Sequence, residues 1–337
     1  MRGALSCVLG ADIGGTTATI GIFSPSLRPV MMFSSGTGET NLRLLLAKAA
    51  QDAKGRGIAI TAACFGVAGP VEGGKVRLTN APCTLSVREI QKALGISNVR
   101  LINDFEAAAY GILTASSRDI IPLTRNKPRK NAPMAVIGAG TGLGKALLHY
   151  DAGTGRYAAL RSEEGHAPLP VADDEEYALL QFIRKTKKMR MVCWEEALSG
   201  RGIATLYDFA VSKRKQALSP PELLVNREIR AASDKASLVA AYRKKDRLCK
   251  EAFSLFTRFY ARFARTTAAS ALPYGGLYIR GGIAAKNPDI FSSREFRQEW
   301  ENAAELKPLL AKIPLFVVKH TGLGVRGAAW HALNRQG

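Results

Sequence analysis

LINDFEAAAYGI, residues 101–112, passes from a short apolar run to a run of alanines through a polar seam of Asn103, Asp104 and Glu106. Leu101 and Ile102 read as the end of a buried strand, and Ala107 to Ala109 as a helix already begun. A carboxylate at such a seam has two explanations. Asn and Asp side chains accept hydrogen bonds from the free N–H groups of a first helical turn, and an Asp there complements the helix dipole. Caps are far commoner than catalytic carboxylates, so the stretch by itself favours capping. The rest of the chain decides whether Asp104 does more.

A chain of 337 residues exceeds what one hydrophobic core usually serves, so two α/β lobes with a cleft between them are expected. Hydrophobic residues make up 47% and charged residues 23%, an ordinary globular balance that argues against disorder. No apolar run reaches the length that spans a bilayer, and residues 1–15 lack a long apolar core followed by a cleavage site, which points to the cytoplasm. The five cysteines (Cys7, Cys64, Cys83, Cys193, Cys249) are scattered and form no CxxC pair, so neither a disulfide framework nor a structural zinc site is indicated. The formal net charge of +20 is the unusual bulk property. Its basic clusters at 125–130, 184–190, 213–215 and 243–247 would attract polyanions. They lack interleaved aromatics, zinc spacing or a recognition helix, so solvated lysine-rich faces are favoured over a nucleic-acid surface.

Strand and helix patterns alternate along the chain, which favours a sheet flanked by helices. Residues 5–15 and 16–23 read as two strands joined by a glycine turn; after a polar loop come a helix over 41–57 and a buried strand from 58 into the Gly69-Pro70 turn. A short amphipathic helix over 87–96 and a strand over 99–104 follow. Residues 132–150 repeat the opening theme of strand, glycine turn and strand. The segment 173–270 is helix-rich and basic, and 241–272 is spaced for one long amphipathic helix. A third strand with a glycine turn at 277–287, a late strand at 314–319 and a helix over 323–333 close the chain. With no low-complexity linker, topology alone divides it into a small lobe of 1–110 plus 322–337 and a large lobe of 111–321.

Glycines crowded into a strand turn let backbone N–H groups approach phosphate oxygens without an intervening Cβ. Asp12-Ile13-Gly14-Gly15-Thr16-Thr17 is the first such turn. A carboxylate beside phosphates is repulsive unless a cation lies between them, so Asp12 points to a Mg²⁺ site, direct or through water. Gly138-Ala139-Gly140-Thr141-Gly142-Leu143-Gly144 is the second turn. Its GxGxxG-like spacing is not a dinucleotide fingerprint, because an apolar strand-like run continues after it and no acidic residue follows about 20 positions on.

Taken with a third turn at Gly281-Gly282, these motifs form a specific ordered set. DIGGTT, GVAGPV, LTN, LINDFEAAAYGI, GAGTGLG, EEGH, EEALSGRGIATLY, IRGGIAAKN and GLGVRGAAWHAL fall in the order of the bacterial-type glucokinase family, which the chain resembles over nearly its whole length. That family belongs to the sugar kinase, heat-shock protein 70 and actin superfamily. The resemblance implies a two-lobed, actin-like ATPase (ribonuclease H-like) α/β fold that closes over its sugar, and ATP- and Mg²⁺-dependent phosphorylation of D-glucose to glucose 6-phosphate. It implies Asp104 as the base that takes the proton of the sugar 6-hydroxyl and Asn103 as its neighbour on the sugar hydroxyls. It also implies Glu163, His166 and Glu195 as sugar contacts. Asp12, Gly14, Gly15 and Thr16 match the first phosphate loop, Gly140, Thr141 and Gly142 the second, and Gly281 and Gly282 the adenosine-side turn. A homodimer is implied in the same way.

Three places qualify the match. Glu195 and Glu196 are adjacent near a helix or loop, which leaves open the one turned to the sugar. Glu163 and Glu164 are adjacent, and spacing to His166 favours Glu163 as the residue turned to the sugar. Cys83 stands where relatives commonly have a Trp at the rim of the sugar site. Alternatives of the same chemistry are another hexose, an amino sugar or a polyphosphate donor, for which the basic charge is a motive. The alternative of another class is a sugar-sensing or polyanion-binding protein without turnover.

Overall fold

The computed structural model describes residues 5–78, 83–214, 216–319 and 322–334; Thr79 and Asn80 of the LTN motif lie outside them. The chain begins with β1 (Leu5–Ile13), β2 (Thr17–Phe23), β3 (Pro29–Gly36), α1 (Glu39–Gly55) and β4 (Ile58–Val67). Three short strands, β5 (Val71–Glu72), β6 (Lys75–Arg77) and β7 (Thr84–Ser86), lead to α2 (Val87–Leu94), β8 (Val99–Asn103) and α3 (Asp104–Ile112). Then come β9 (Ile120–Pro122), β10 (Met134–Ala139), β11 (Leu143–Asp151) and β12 (Arg156–Ser162). A helical region holds α4 (Asp174–Lys187), α5 (Gly200–Ser212), α6 (Pro220–Ala231), α7 (Lys235–Tyr242) and α8 (Arg247–Ala271). The chain closes through β13 (Leu277–Arg280), α9 (Gly282–Lys286), α10 (Arg294–Glu301), α11 (Lys307–Leu310), β14 (Leu315–Val318) and α12 (Leu323–Asn334). Two compact units divide it: Met1–Asp119, Ala146–Arg161 and His320–Gly337 form the first, Ile120–Lys145 and Ser162–Lys319 the second.

The first unit is built on a sheet of order β3-β2-β1-β4-β8. Its period-two alternation sorts side chains to two faces. Leu9, Ala11, Ile13 and Phe65 pack with Leu42, Leu45 and Leu46 of α1, whereas Val8, Ala62 and Cys64 pack with Ala107, Val325, Ala328 and Ala329 from α3 and α12. Burial on both faces explains why β1 and β4 read as near-continuous apolar runs. Two glycines set how closely α12 approaches: a Cβ on Gly327 would overlap the Ala107 carbonyl oxygen, and one on Gly10 the Val325 carbonyl oxygen.

In the second unit β10, β13, β14 and β9 are successive neighbours in a sheet, β10 parallel to β13 and β13 to β14. Helix α8 forms its core, with Phe256, Phe259, Tyr260 and Phe263 fully buried. The single helix expected over 241–272 is two: α7 ends at Tyr242, and α8 starts afresh at Arg247 because the Asp246 side chain accepts the Cys249 N–H at 2.8 Å and caps it. The polar loop expected after β2 holds a strand, β3; at the sheet edge only Met31 is buried, and the adjacent apolar pair Met31-Met32 with Ser34-Ser35 shows no apolar-polar alternation in the sequence.

Candidate active site

In the first unit β1, β4 and β8 run parallel, so their carboxyl ends share one edge of the sheet. Ligands of open α/β sheets bind beyond such an edge. Asp12 is in register with Gly66, and Gly66 with Ile102. Asp12 and the Asn103-Asp104 seam therefore lie about two strand spacings apart, roughly 10 Å. Asp12 is half-buried at the end of β1, and the turn after it is tied off by three bonds. The Gly14 N–H donates to the Thr17 oxygen at 2.9 Å, the Thr37 N–H to the Thr16 oxygen at 3.0 Å and the Thr37 hydroxyl to the Gly14 oxygen at 2.8 Å. Thr37, unnoticed in the sequence, thus holds the turn by its carbonyls. Thr16 is exposed at the tip.

The seam itself divides its labour. Asn103 is the N-cap of α3: its Oδ1 accepts the Phe105 N–H at 2.8 Å, and Glu106 Oε2 accepts the Asn103 N–H at 2.9 Å, a capping box. Asp104 is the first helical residue, half-buried, and its Oδ1 shares the Phe105 N–H at 3.0 Å. The capping box is made by Asn103 and Glu106, and the Asp104 carboxylate, which shares the Phe105 N–H, sits at the positive end of the helix, where a negative charge is stabilising. The Asn-x-x-Glu spacing was the signal for Glu106. Gly66 makes the arrangement possible, since a Cβ there would come 2.6 Å from the Ala107 Cβ. Behind the seam Cys64 is fully buried, and burial first, then the Glu106 charge, pushes its thiol above the ordinary range.

In the second unit, Gly138 of β10 pairs with Arg280 of β13, which brings the second and third glycine turns to the ends of adjacent parallel strands. The Gly140 N–H donates to the Gly142 oxygen and the Gly200 N–H to the Gly140 oxygen, both at 2.8 Å, and Thr141 is exposed between them. Gly281 adopts φ +103°, open to glycine, and a Cβ there would press 2.6 Å from the Ala139 oxygen. Gly282 follows as the first residue of α9. Beneath the turn the buried Tyr260 hydroxyl accepts the Ala139 N–H at 3.0 Å; burial raises its pKa, against the opposing pull of that bond.

Glu195 Oε2 accepts the Leu143 N–H at 2.9 Å and Oε1 the Arg201 guanidinium at 2.7 Å. Its carboxylate is thus engaged with the second glycine turn, a commitment that spacing could not show. A carboxylate oxygen keeps capacity for a further donor. Glu163 and His166 are exposed at the two ends of a tight turn closed by the His166 N–H to the Glu163 oxygen at 3.0 Å, whereas Glu164 points to Lys145 in an ion pair. Gly165 lies so close to the Leu143 carbonyl oxygen that no Cβ fits. Leu143 is therefore the meeting point of the second glycine turn, Glu195 and the Glu163–His166 turn. Cys83 is buried in the first unit, and burial pushes its thiol pKa up.

Among the described residues no group of three or more His, Cys, Asp or Glu side chains is placed to hold a metal ion. Mg²⁺ in phosphoryl transfer asks less, one or two carboxylates with the substrate's phosphate oxygens, and Asp12 beside the first turn fits that requirement.

A family model described as Glucokinase matches residues 9–335. The chain is similar to the glucokinase of Synechocystis sp., 34% identical over 342 residues that cover 95% of this chain and 96% of that protein. Among solved structures, a glucokinase from Balamuthia mandrillaris in complex with glucose matches with a TM-score of 0.81 at 22% identity, over 97% of this chain and 94% of that one. A ROK family glucokinase from Streptomyces griseus in complex with glucose and AMPPNP matches with a TM-score of 0.65 at 18% identity, over 98% and 100%. These likenesses show the fold as the mixed α/β, actin-like ATPase fold.

Proposed function

Because the chain belongs to the glucokinase family, matched over most of its length, we propose that it transfers the γ-phosphoryl group of ATP to the 6-hydroxyl of D-glucose with Asp104 as the base. ATP-dependent phosphorylation of glucose is the activity of the family and of this enzyme. Such transfer needs an aligned nucleophile, donors around the phosphates and charge neutralisation, with little covalent work for the protein. Asp104 takes the proton as the sugar oxygen attacks phosphorus and the bond to the leaving ADP breaks. Asn103, its Oδ1 occupied by capping, offers its amide N–H groups to a sugar oxygen. Glu163, His166 and Glu195 hold further hydroxyls.

The backbone of Gly14, Gly15 and Thr16 and that of Gly140, Thr141 and Gly142 cradle the phosphates, and Gly281 and Gly282 border the adenosine. Asp12 would hold Mg²⁺, which neutralises phosphate charge when bound. A homodimer, which rests on the family resemblance, and a cytoplasmic setting are parts of the same proposal. The reading is supported by one observation: a half-buried carboxylate at the carboxyl edge of the sheet, on the first residue of a helix whose capping box is made by Asn103 and Glu106. The test is a coupled assay for glucose 6-phosphate with ATP, with mannose, fructose and N-acetylglucosamine as parallel acceptors and polyphosphate as parallel donor. Glucose with ATP is expected to dominate; no glucose 6-phosphate from the folded protein overturns the proposal.

A further inference from the structure

Of the consecutive Glu163 and Glu164, one is exposed and the other is drawn inward. Glu164 pairs with Lys145, whose side chain is only 5% exposed, and the Lys145 ammonium also donates to Ser270 Oγ at 3.3 Å. Ser270 in turn donates to the Thr267 oxygen of α8 at 3.0 Å, which roots the pair in the core helix. Lys145 lies in β11, two residues beyond Leu143, and the carbonyl of Leu143 bears on Gly165. A single strand end therefore carries the second glycine turn and anchors the turn that offers Glu163 and His166. A buried ammonium survives its desolvation only with a partner, and an apolar side chain often fills such a position with equal or greater stability. The charge at residue 145 thus calls for a reason other than packing.

We propose that Lys145, acting through Glu164, is a positioning residue for the sugar. The pair, rooted in the buried Lys145, locks the turn from Glu163 to His166 so that Glu163 and His166 present their polar atoms together and in a fixed relation to Gly140, Thr141 and Gly142. This rests on the reading of Glu163 and His166 as sugar contacts. Neither Lys145 nor Glu164 touches substrate in this scheme; their effect reaches glucose through the backbone of the turn.

The test compares Lys145→Met, Glu164→Gln, the double variant and Lys145→Arg by steady-state kinetics, calorimetry of glucose binding without ATP, and thermal melting. Lys145→Met is expected to raise KM and Kd for glucose by about tenfold or more with the KM for ATP within about twofold, a split that marks lost substrate positioning. It also melts earlier, because the partly buried Glu164 loses its partner. In the double variant no charge is stranded, so melting recovers while the KM for glucose stays raised by about fivefold or more. Lys145→Arg keeps the pair and stays within about threefold of the unaltered enzyme. An unchanged KM for glucose in the folded variants, or a KM that recovers in step with melting, overturns the proposal and leaves the pair a structural one. Absence of hexose phosphorylation by the unaltered protein overturns the sugar-site reading together with the lock, whereas normal turnover with an unmoved KM overturns the lock alone.

Discussion

Asp104→Asn separates catalysis from folding at a single residue. The replacement keeps the size of the side chain and an Oδ1 that can still accept the Phe105 N–H now held at 3.0 Å. The capping box is untouched, because its bonds run from Phe105 to Asn103 and from Asn103 to Glu106. What the helix end loses is one negative charge on the first residue of α3, a contribution of about 0.3–1 kcal/mol. For a protein of this size that lowers the melting temperature by no more than about 3 °C. What is lost from the reaction is a base in contact with the proton, which general acid–base catalysis values at about 10²–10⁴-fold in rate, or about 3–5 kcal/mol of barrier. Coupled measurement of glucose 6-phosphate formation is expected to show kcat down by that factor, with glucose affinity by calorimetry within about threefold of the unaltered enzyme. Asn103→Ala is the contrast: it removes the cap, costs about 1 kcal/mol of stability and weakens glucose binding. A folded Asp104→Asn protein whose kcat stays within about tenfold of the original refutes the assignment of the base.

Gly66→Ala forces a Cβ to within 2.6 Å of the Ala107 Cβ, so α3 must shift off the sheet; we expect about 1–3 kcal/mol of destabilisation with a loss of kcat, read by melting and the coupled assay. Glu176 is fully buried and accepts two bonds from Arg262, at 2.6 and 3.0 Å, and one from Arg258 at 2.7 Å. Glu176→Ala takes two bonds from the buried Arg262 guanidinium, leaving it Glu299 and the Pro170 oxygen, and costs about 3 kcal/mol in denaturant unfolding; a loss below about 1 kcal/mol sinks the argument. All five thiols are buried, and burial raises the pKa of each, leaving little thiolate near neutrality. A disulfide reagent at pH 8 is expected to react slowly with the native protein and with all five thiols after unfolding; rapid native labelling of Cys83 would place it at an open rim instead.

The glycine turns and the carboxylate at the seam were legible because strand, turn and helix patterns are local. A short apolar run ending in glycines, as at 5–15 and 132–144, states a strand and its turn without reference to anything distant. Where the local signal was weak the reading failed: β3 is an edge strand with one buried side chain, and the break between α7 and α8 turns on the cap supplied by Asp246. Sequence spacing placed Glu195 near the LSG turn but was silent on its bonds to Leu143 and Arg201.

The sequence by itself determined which residues end the strands, where glycine is required, and that a carboxylate stands at the seam after β8. Tertiary structure decided that residues 146–161 belong with the first unit, that Leu143 and Arg201 engage the Glu195 carboxylate, and that Glu164 turns inward to Lys145. The physical reason is that hydrogen bonds and ion pairs between distant residues are chosen by how packed elements bring side chains together, and burial is a property of the assembled core that no run of neighbouring residues contains.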